Sequence, residues 1–448
     1  MSFTVPTIEW AGLAPVLIIL GAGVLGVLIE AFVPRRGRLQ VQAGLSVLAI
    51  LGSGVAFVLR WAQVLPQDPG TGRVSPSGRV LASGVSEDPF GVAAQGIMLV
   101  IGLLAVLVMA DRTTAGDGAF AAQAADRPGS AEETESLHHG WTATEVFPLT
   151  LFSLAGMMLF PMVNNVIALF VVLELVSLPL YIMAATARHR RLLSQEAALK
   201  YFVLGAFASA FLLLGSAFLY GLSGSVSYTA VAGALAAGGV LGMDWLGLAG
   251  VALVTVGLLF KTAAVPFHAW SPDVYQGAPT PVTGFMAAGV KATAFLALVR
   301  FYYLVGGAFG WEMAPFLWTV AVLTMMVGTV VGVVQGDVKR MLAYSAIAHA
   351  GYMLIGIIAL NGVAISALLL YALAYGAATV GAFGVVTLVR AGHDGAAGAE
   401  ATDLEAFTGL GRRSPWLAGA MTVFLLSFAG VPLTAGFIAK FELFVAGI

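Results

Sequence analysis

The sequence predicts an all-α polytopic transmembrane protein. Of its 448 residues, 59% are hydrophobic and only 10% are charged, and the mean hydropathy is +0.95. A water-soluble domain of this length could not keep so much apolar surface away from water. Apolar runs of about 20 residues recur along the chain, and each is long enough to cross ~30 Å of hydrocarbon as a helix.

Twelve apolar segments are predicted to span the membrane. In chain order they are 13–33, 40–59, 90–110, 146–163, 165–187, 197–220, 245–266, 278–303, 315–335, 340–360, 362–390 and 415–447. The short segment 226–240 is predicted to be a surface or re-entrant helix, and the region 111–144 an acidic, mobile loop. We expect four parts: a three-helix segment (1–110), the acidic loop (111–144), a first repeat (145–303) and a second repeat (304–448).

Several function classes do not fit this composition. The chain has no cysteine, which excludes disulfides, thiolate metal sites and cysteine-ligated iron–sulfur clusters in it. A net charge of -2 gives no support for nucleic-acid binding. The glycines of GAGVLG at 21–26 lie inside a predicted span with no strand before them, so they do not indicate a dinucleotide site. The N-terminus lacks a basic region and a cleavage site, and we expect the first span to be retained.

The distribution of basic residues predicts the orientation of the chain. One set of alternate loops and flanking span ends carries thirteen: Arg35, Arg36, Arg38, Arg112, Arg127, Arg188, Arg190, Arg191, Lys339, Arg340, Arg390, Arg412 and Arg413. The opposite set carries four: Arg60, Arg73, Arg79 and Arg300. Positive charge favours the cytoplasmic side, so the N-terminus is predicted to lie outside.

Most of the lysines lie inside the predicted spans, whereas every arginine lies in a loop or near a span end. Four of the five lysines are there, namely Lys200, Lys261, Lys291 and Lys440. A lysine at the centre of a span costs ~2.5–3.5 kcal/mol on insertion scales. Because a buried lysine can release its proton and an arginine cannot, the pattern suggests groups that exchange protons. Snorkelling to the interface is the alternative, most plausible for Lys200 near the start of its span.

Three more ionisable residues lie at or near membrane depth. Glu174 is the only charged residue of its span, and it is either part of a structural salt bridge or a relay group paired with a lysine of a neighbouring span. His268 follows Lys261 by seven residues, and His349 lies inside the tenth span. Each histidine is either a hydrogen-bonded core residue or a member of the same relay.

Two of these spans carry a proline close to a lysine. Pro266 follows Lys261 by five residues, and Pro432 precedes Lys440 by eight. A proline removes a backbone donor, and broken backbone is tolerated at membrane depth only against protein or water. Each proline is either a simple kink or the site of a broken helix. The segments LLFKTAAVPF and LLSFAGVPL resemble each other about 166 residues apart, which indicates an inverted repeat.

Three segments give the chain a family resemblance. FHAWSPDVYQGAPTPVTGFMAAGVKATAF (267–295), EAALKYFVLGAFASAFLLLGSAFLYG (196–221) and GDVKRMLAYSAIAHAGYMLIG (336–356) resemble the N subunits of bacterial NADH-quinone oxidoreductase, respiratory complex I. The likeness runs from about residue 145 to the end, and more loosely through the first three spans. Sister antiporter-like subunits and sodium/proton antiporters share the fold, but PDVYQGAPTPVT and the lysine of the last broken helix favour the N type.

The resemblance implies an antiporter-like fold with two inverted five-helix repeats and broken helices seven and twelve. It places the family's functional residues on Glu174, Lys200, Lys261, His268, Lys291 and Lys440, to which the sequence itself adds His349. The last two helices of the family are absent from this chain, which ends at Ile448. We therefore expect an incomplete second repeat, in a fragment or in a naturally shorter chain.

The resemblance also implies a function in the bacterial inner membrane. The family translocates protons, driven by quinone reduction elsewhere in the complex, and NADH, quinone, flavin and iron–sulfur clusters bind to other subunits. A proton is expected to enter from the cytoplasm near Pro266, to pass Lys261, His268 and Lys291, and to leave by Lys440, while a Glu174–Lys200 ion pair opens and closes. Expected partners are sister antiporter-like and small membrane subunits, and lipids. The alternatives are a stand-alone cation/proton antiporter and a structural scaffold.

Overall fold

The computed structural model describes residues 8–64, 79–111, 118–123, 126–127, 130–139, 141–237, 244–390 and 400–447. These residues form ten helices that are long and apolar enough to cross a membrane, and two shorter apolar helices, Val146–Met162 and Pro415–Ala429. The twelve correspond in order to the twelve predicted spans, so the predicted all-α membrane class is confirmed.

The elements up to Thr262, where the first helix break begins, include the only named strands within the described residues. They are α1 (Trp10–Phe32), α2 (Arg35–Val64), β1 (Arg79–Ala82), β2 (Val85–Glu87), α3 (Pro89–Ala110), α4 (Ala131–His138), α5 (Val146–Leu159), α6 (Val166–Ala184), α7 (Arg191–Ser223), α8 (Tyr228–Ala236) and α9 (Asp244–Thr262).

The remaining helices begin after that break. They are α10 (Trp270–Gly277), α11 (Thr280–Phe285), α12 (Lys291–Leu304), α13 (Gly310–Val333), α14 (Val338–Ala359), α15 (Gly362–Leu388), α16 (Leu410–Arg413), α17 (Pro415–Ala429) and α18 (Ala435–Ala446). A π-helical segment, Met286–Val290, joins α11 to α12. Short 3₁₀ turns lie at Phe160–Met162, Gly306–Phe309 and Leu404–Phe407.

Backbone pairings between loops define the two ends of the bundle. At one end, single antiparallel bridges join Phe120 to Ala187, Asp337 to Asp403 and Arg390 to Glu400; at the other, they join Val85 to Val163 and Asn165 to Ser227. Each helix runs from one set of loops to the other, as successive antiparallel spans require. Two of the arginines that predict the orientation, Arg73 and Arg112, lie outside the described residues.

The acidic region differs from the predicted mobile loop. Its described part contains the helix α4, and its backbone is held against the segment before α7, with Ala121 N donating to Thr186 O at 2.7 Å and Arg188 N donating to Ala119 O at 2.9 Å. The Arg35 guanidinium also lies 4.2 Å from the ring centroid of Trp141. The alanines and glutamates of this region are good helix formers. The sequence did not predict the helix because the region has no apolar periodicity.

The predicted short helix at 226–240 is present as α8, while residues 238–243 lie outside the described part of the chain. Its first residue, Tyr228, is fully buried. Tyr228 N donates to Asn164 O at 2.9 Å, which ties the start of α8 to the loop before α6.

Both predicted helix breaks are confirmed. Span seven consists of α9, which ends at Thr262, and α10, which begins at Trp270; span twelve consists of α17, which ends at Ala429, and α18, which begins at Ala435. The broken span is the fourth of its repeat in each half. Because five spans separate corresponding helices, the two repeats run in opposite directions, as the antiporter-like fold requires.

The central span is the segment from Thr280 to Leu304. Every residue of its apolar window is buried, whereas the other nine long spans are 28–72% buried in theirs. Its π-helical segment immediately precedes Lys291, and such bulges are frequent at functional sites. This span therefore lies in the interior of the bundle, and Lys291 lies with it.

The second break depends on a close approach of its two halves. A Cβ built on Gly436 of α18 would lie 1.9 Å from Ser427 O of α17. Gly436→Ala should therefore force α17 and α18 apart and lower stability by ~1–3 kcal/mol, the usual cost of overpacking. The measurement is the thermal midpoint and the amount of this chain in purified membranes.

Gly419→Ala is the matched control, because a Cβ at Gly419 of α17 meets nothing within 4 Å. Equal stability of the Gly436→Ala and Gly419→Ala proteins would contradict the close packing of the broken span.

Candidate functional site

Lys261 lies in the last turn of α9, directly before the first break, and only 2% of it is exposed. Its Nζ donates to the Tyr181 hydroxyl at 3.2 Å and lies 5.2 Å from the ring centroids of both Tyr181 and Tyr201. Ring faces attract a cation, most strongly where water is excluded. The Lys261 charge is therefore stabilised by aromatic rings and a hydroxyl, and it forms no ion pair with any residue that the structure describes.

The break next to Lys261 is held by side chains from three helices. Trp270 Nε1 donates to Phe260 O at 2.9 Å, and Thr324 Oγ1 of α13 accepts from Val265 N at 2.9 Å. Tyr201 stacks on Trp270 with ring centroids 4.8 Å apart. These contacts satisfy backbone groups that the break leaves without helical partners.

The predicted ion pair between Glu174 and Lys200 is not formed in the structure. Glu174 is half-buried in α6, and its Oε1 accepts a hydrogen bond from Ser209 Oγ of α7 at 2.5 Å. Ser209 lies nine residues beyond Lys200 on that helix, about 13 Å along its axis. The register of α7 therefore presents a serine to Glu174 and places the lysine more than two turns away.

Lys200 instead belongs to a charged network at the bundle end. Its Nζ lies 2.8 Å from carboxylate oxygens of Glu196 and Asp273, and its side chain is 42% exposed. The other oxygen of Asp273 pairs with Arg340 of α14, also at 2.8 Å. Lys200 thus reaches the edge of the bundle, as the snorkelling alternative predicted, and Asp273 joins the two repeats.

His268 lies within the first break and is half-buried. Its Nδ1 is buried and has no hydrogen-bond partner among the residues described, while its backbone carbonyl accepts from Ser271 N at 2.9 Å. The structure therefore places His268 in the break without a direct contact to another ionisable side chain of the predicted row.

Lys291 begins α12 and is 1% exposed. Its ammonium donates a short hydrogen bond to Ala346 O of α14, and no carboxylate in the described part of the chain pairs with it. His349 lies one turn further along α14 from this carbonyl. Lys291 is thus connected to α14 through the backbone, as deeply buried as the sequence predicted.

His349 and Lys440 meet around a cluster of aromatic rings. The His349 Nδ1 lies 2.5 Å from the Tyr371 hydroxyl, and its ring centroid lies 4.8 Å from that of Tyr375 and 5.6 Å from that of Phe428. Lys440 Nζ donates to Phe428 O at 2.6 Å. Lys440 thereby binds a carbonyl at the C-terminal end of α17, where the helix dipole favours a cation.

Sequence reasoning missed the tyrosines that contact these groups. Tyr181 follows Glu174 by seven residues, two helical turns, so the spacing could have indicated a shared face. Tyr371 and Tyr375 are four residues apart on α15 and both face His349.

Lys339, predicted to lie in a loop, is in the first turn of α14 and is 2% exposed. Nothing in the sequence around Lys339 distinguishes it from an exposed loop lysine.

Several buried hydroxyls near this row lack a protein partner. Within the described residues they include Tyr201 Oη, Thr255 Oγ1, Ser271 Oγ and Thr379 Oγ1. A buried polar group without any hydrogen bond costs ~1–3 kcal/mol, and water is the usual partner where protein is not. The interior around the lysines is therefore suited to hold water. No group of three or more potential metal-ligating side chains occurs in the described part of the chain.

Comparison with known proteins gives the same fold and family. The sequence profile described as "NADH:quinone oxidoreductase/Mrp antiporter, TM" matches residues 163–448. NADH-quinone oxidoreductase subunit N of Beutenbergia cavernae is 52% identical over 453 residues, which cover 100% of this chain and 84% of that protein. The subunit N of Mycobacteroides abscessus is 50% identical, and the aligned region covers 98% of this chain and 83% of that protein.

Two solved structures support the assignment at different levels. A chain of respiratory complex I from Thermus thermophilus, solved with bound Aureothin, is 31% identical with a TM-score of 0.73, over 97% of this chain and 82% of that one. A chain of the Mrp complex from Dietzia sp. is 21% identical with a TM-score of 0.75, over 98% of this chain and 74% of that one, and it shows the fold alone.

The broken spans, the buried lysines and these likenesses agree, and the chain belongs to the subunit N family of NADH-quinone oxidoreductase, the antiporter-like membrane subunits of respiratory complex I.

Proposed function

We propose that this chain carries protons across the membrane as a subunit of NADH-quinone oxidoreductase. The observation that carries the proposal is the burial of Lys261 and Lys291, each at most 2% exposed and neither paired with a carboxylate. A buried charge without a counter-ion costs several kcal/mol, so each lysine is well suited to alternate between charged and neutral forms.

The proposed carriers form two clusters. The first contains Lys261 with Glu174 nearby on α6, and the second contains Lys291, His349 and Lys440 around α14. Protons pass within each cluster through hydroxyls and water, and Lys440 delivers them at the second break. Because several proposed sites lie close together, the proton affinity of each depends on the charge of the others. A proton is therefore shared by the cluster and is not assigned to one residue.

The role of Lys200 changes with its observed partner. We propose that it acts on α10 through Asp273, while Glu174 modulates Lys261 directly by its charge. His268 is proposed to bind water in the first break through its unpartnered Nδ1. The predicted opening and closing of a Glu174–Lys200 pair would require Lys200 to leave Asp273, to which it is bound at 2.8 Å.

The proposed partners are sister antiporter-like subunits and small membrane subunits, together with lipids. Within the described residues α17 has no buried residue, and its Trp416 is 89% exposed. NADH, quinone, flavin and iron–sulfur clusters are proposed to bind to other subunits, so this chain supplies no redox centre. The bacterial inner membrane is the proposed location.

The two alternative functions make different predictions for the same residues. A stand-alone cation/proton antiporter would exchange ions without redox subunits, and the 21% identical Mrp chain supports only the shared fold. A scaffold would need the buried lysines only as fixed charges. The family assignment favours the proton-translocating subunit over both.

The proposed function predicts that Lys261→Ala slows proton transport by the assembled complex about 100-fold, the usual scale for loss of an acid–base group. Assembly should survive, because Lys261 has no carboxylate partner among the described residues that its removal would leave unpaired. Lys261→Arg should be nearly as damaging, since a guanidinium does not release its proton. Proton uptake per quinone reduced is measured in reconstituted vesicles, with subunit content determined in the same samples. Full transport by Lys261→Arg would show that Lys261 is a fixed charge.

Tyr181 offers a test of the contact around Lys261. Tyr181→Phe keeps the ring and removes the hydroxyl that lies 3.2 Å from Lys261 Nζ, so transport should fall roughly tenfold, as expected for a hydrogen bond to a charged group worth ~1.5 kcal/mol. Tyr220→Phe is the control, because Tyr220 is 53% exposed at the far end of α7. Unchanged transport by Tyr181→Phe would remove the hydroxyl from the mechanism.

The proposed orientation can be tested with introduced cysteines, because the chain has none. Thr229→Cys on α8 and Glu405→Cys near α16 are both at exposed positions, at opposite ends of the bundle. A membrane-impermeant maleimide applied to spheroplasts should label Cys at 229 and spare Cys at 405. The reverse labelling would invert the N-terminus-outside topology.

A further inference from the structure

A polar pocket lies at the bundle end where α14 begins. Its walls come from the segment before α7, the turn between α10 and α11, and the segment around Glu400, which pairs with Arg390. In the proposed orientation this end faces the cytoplasm. None of its residues belongs to the predicted proton row.

Lys339 forms the inner wall of the pocket. It is 2% exposed, and its Nζ donates to Ala278 O at 2.6 Å. An ammonium carries three donors, so two of them have no protein acceptor among the described residues. A buried lysine in this state needs a polar partner, and the pocket beside it is the space where water can supply one.

Glu400 supplies the complementary acceptor in the same pocket. Its Oε2 accepts from the Thr280 hydroxyl at the start of α11, whereas its Oε1 is buried without a partner among the described residues. Glu400 and Lys339 line one pocket without forming an ion pair. The pocket thus holds an unsatisfied acid oxygen and unsatisfied ammonium donors, which is the lining that a short water chain requires.

Other charged groups around the pocket have fixed partners. Arg190 donates to Thr402 Oγ1 at 3.0 Å, and Thr402 donates to Asp337 Oδ2 at 2.7 Å. Arg188 and His189 also line the pocket. The charged and titratable groups that share the pocket with Glu400 are therefore Lys339, Arg188, His189 and Arg190, with Asp337 behind Thr402 and Arg390 bridged to Glu400 through the backbone.

The pocket is aligned with Lys291 along one face of α14. Lys339 and Ala346 are seven residues apart, about 10 Å and two helical turns, so both lie on the same face. Ala346 O is the group to which the Lys291 ammonium is bound. A proton released in the pocket therefore has a short route along α14 to the central lysine.

We propose that this pocket is the cytoplasmic proton-uptake site for Lys291, with Glu400 as the first proton acceptor and Lys339 as the group that passes the proton inward. The inference deepens the proposed function and depends on it. It moves proton uptake away from the Pro266 break, where the sequence predicted it, to the end of α14.

The test is Glu400→Gln in the assembled complex, with Glu405→Gln as the matched control. A glutamine can still accept from Thr280, but it cannot take up a proton, so folding should be kept. Glu405 is exposed on the same segment and does not line the pocket. Proton uptake per quinone reduced is measured in inverted membrane vesicles, whose outer medium reaches the cytoplasmic face, from pH 6.5 to pH 8.5, about the range in which proton supply becomes limiting.

Glu400→Gln should slow uptake roughly tenfold at the alkaline end and much less at the acidic end, because a collecting acid matters most when protons are scarce. A Glu400→Asp variant should recover part of the loss. A uniform effect at all pH values, or none, would overturn the proposal. Failure of Glu400→Gln to act while Lys261→Ala abolishes transport would refute this uptake site alone; failure of both would refute the proposed function.

A second measurement does not depend on removing Glu400. Ala119 lies at the rim of the pocket, and Ala119→Cys introduces the only cysteine of the chain. A bulky charged thiol reagent added to inverted vesicles should label Cys at 119 and block proton uptake. The same reagent on Glu405→Cys should leave uptake unchanged. Labelling at 119 without a block would show that protons do not pass through the pocket.

Discussion

The fold is organised around lysine ammonium groups that lie inside the bundle without a carboxylate partner among the described residues. Lys291 is bound to Ala346 O and Lys440 to Phe428 O, while Lys261 lies against two tyrosine rings. Carbonyl oxygens and ring faces stabilise a cation less strongly than a carboxylate does. Where a helix is broken, it leaves carbonyls that have no helical donor, and such ends favour cations.

Arginines play the opposite part in the same molecule. Arg300 of α12 is 1% exposed and pairs with Asp88 at 2.6 Å, and Arg60 pairs with Glu87 beside it. The Arg300–Asp88 pair ties the start of α3 to the central span, and the Arg60–Glu87 pair ties α2 to β2. A guanidinium keeps its proton, so a fixed pair suits it, whereas removal of one partner would leave a costly buried charge. The chain therefore places these two arginines in ion pairs, and Lys261, Lys291 and Lys440 beside carbonyls, a hydroxyl and aromatic rings.

The positions of the buried groups could be predicted from the sequence, but their partners could not. A lysine inside an apolar run must be buried or must reach the interface, so its position in such a run was enough to identify Lys261 and Lys291. Contacts between helices depend on rotation and register: a shift along α7 decides whether Glu174 faces Lys200 or Ser209. Lys339 was predicted to be a loop residue because the segments that bury it come from parts of the chain that are far apart in sequence.

The network around Asp273 explains how the two repeats could act together. Asp273 lies on α10, the second half of the first broken span, and it binds Lys200 of the first repeat and Arg340 of the second, both at 2.8 Å. Any displacement of α10 must lengthen at least one of these two ion pairs. Arg340 lies next to Lys339 in the first turn of α14, so the same displacement acts on the helix that binds Lys291. Contacts between side chains thereby connect the second half of the first broken span to the helix that carries His349 and binds Lys291.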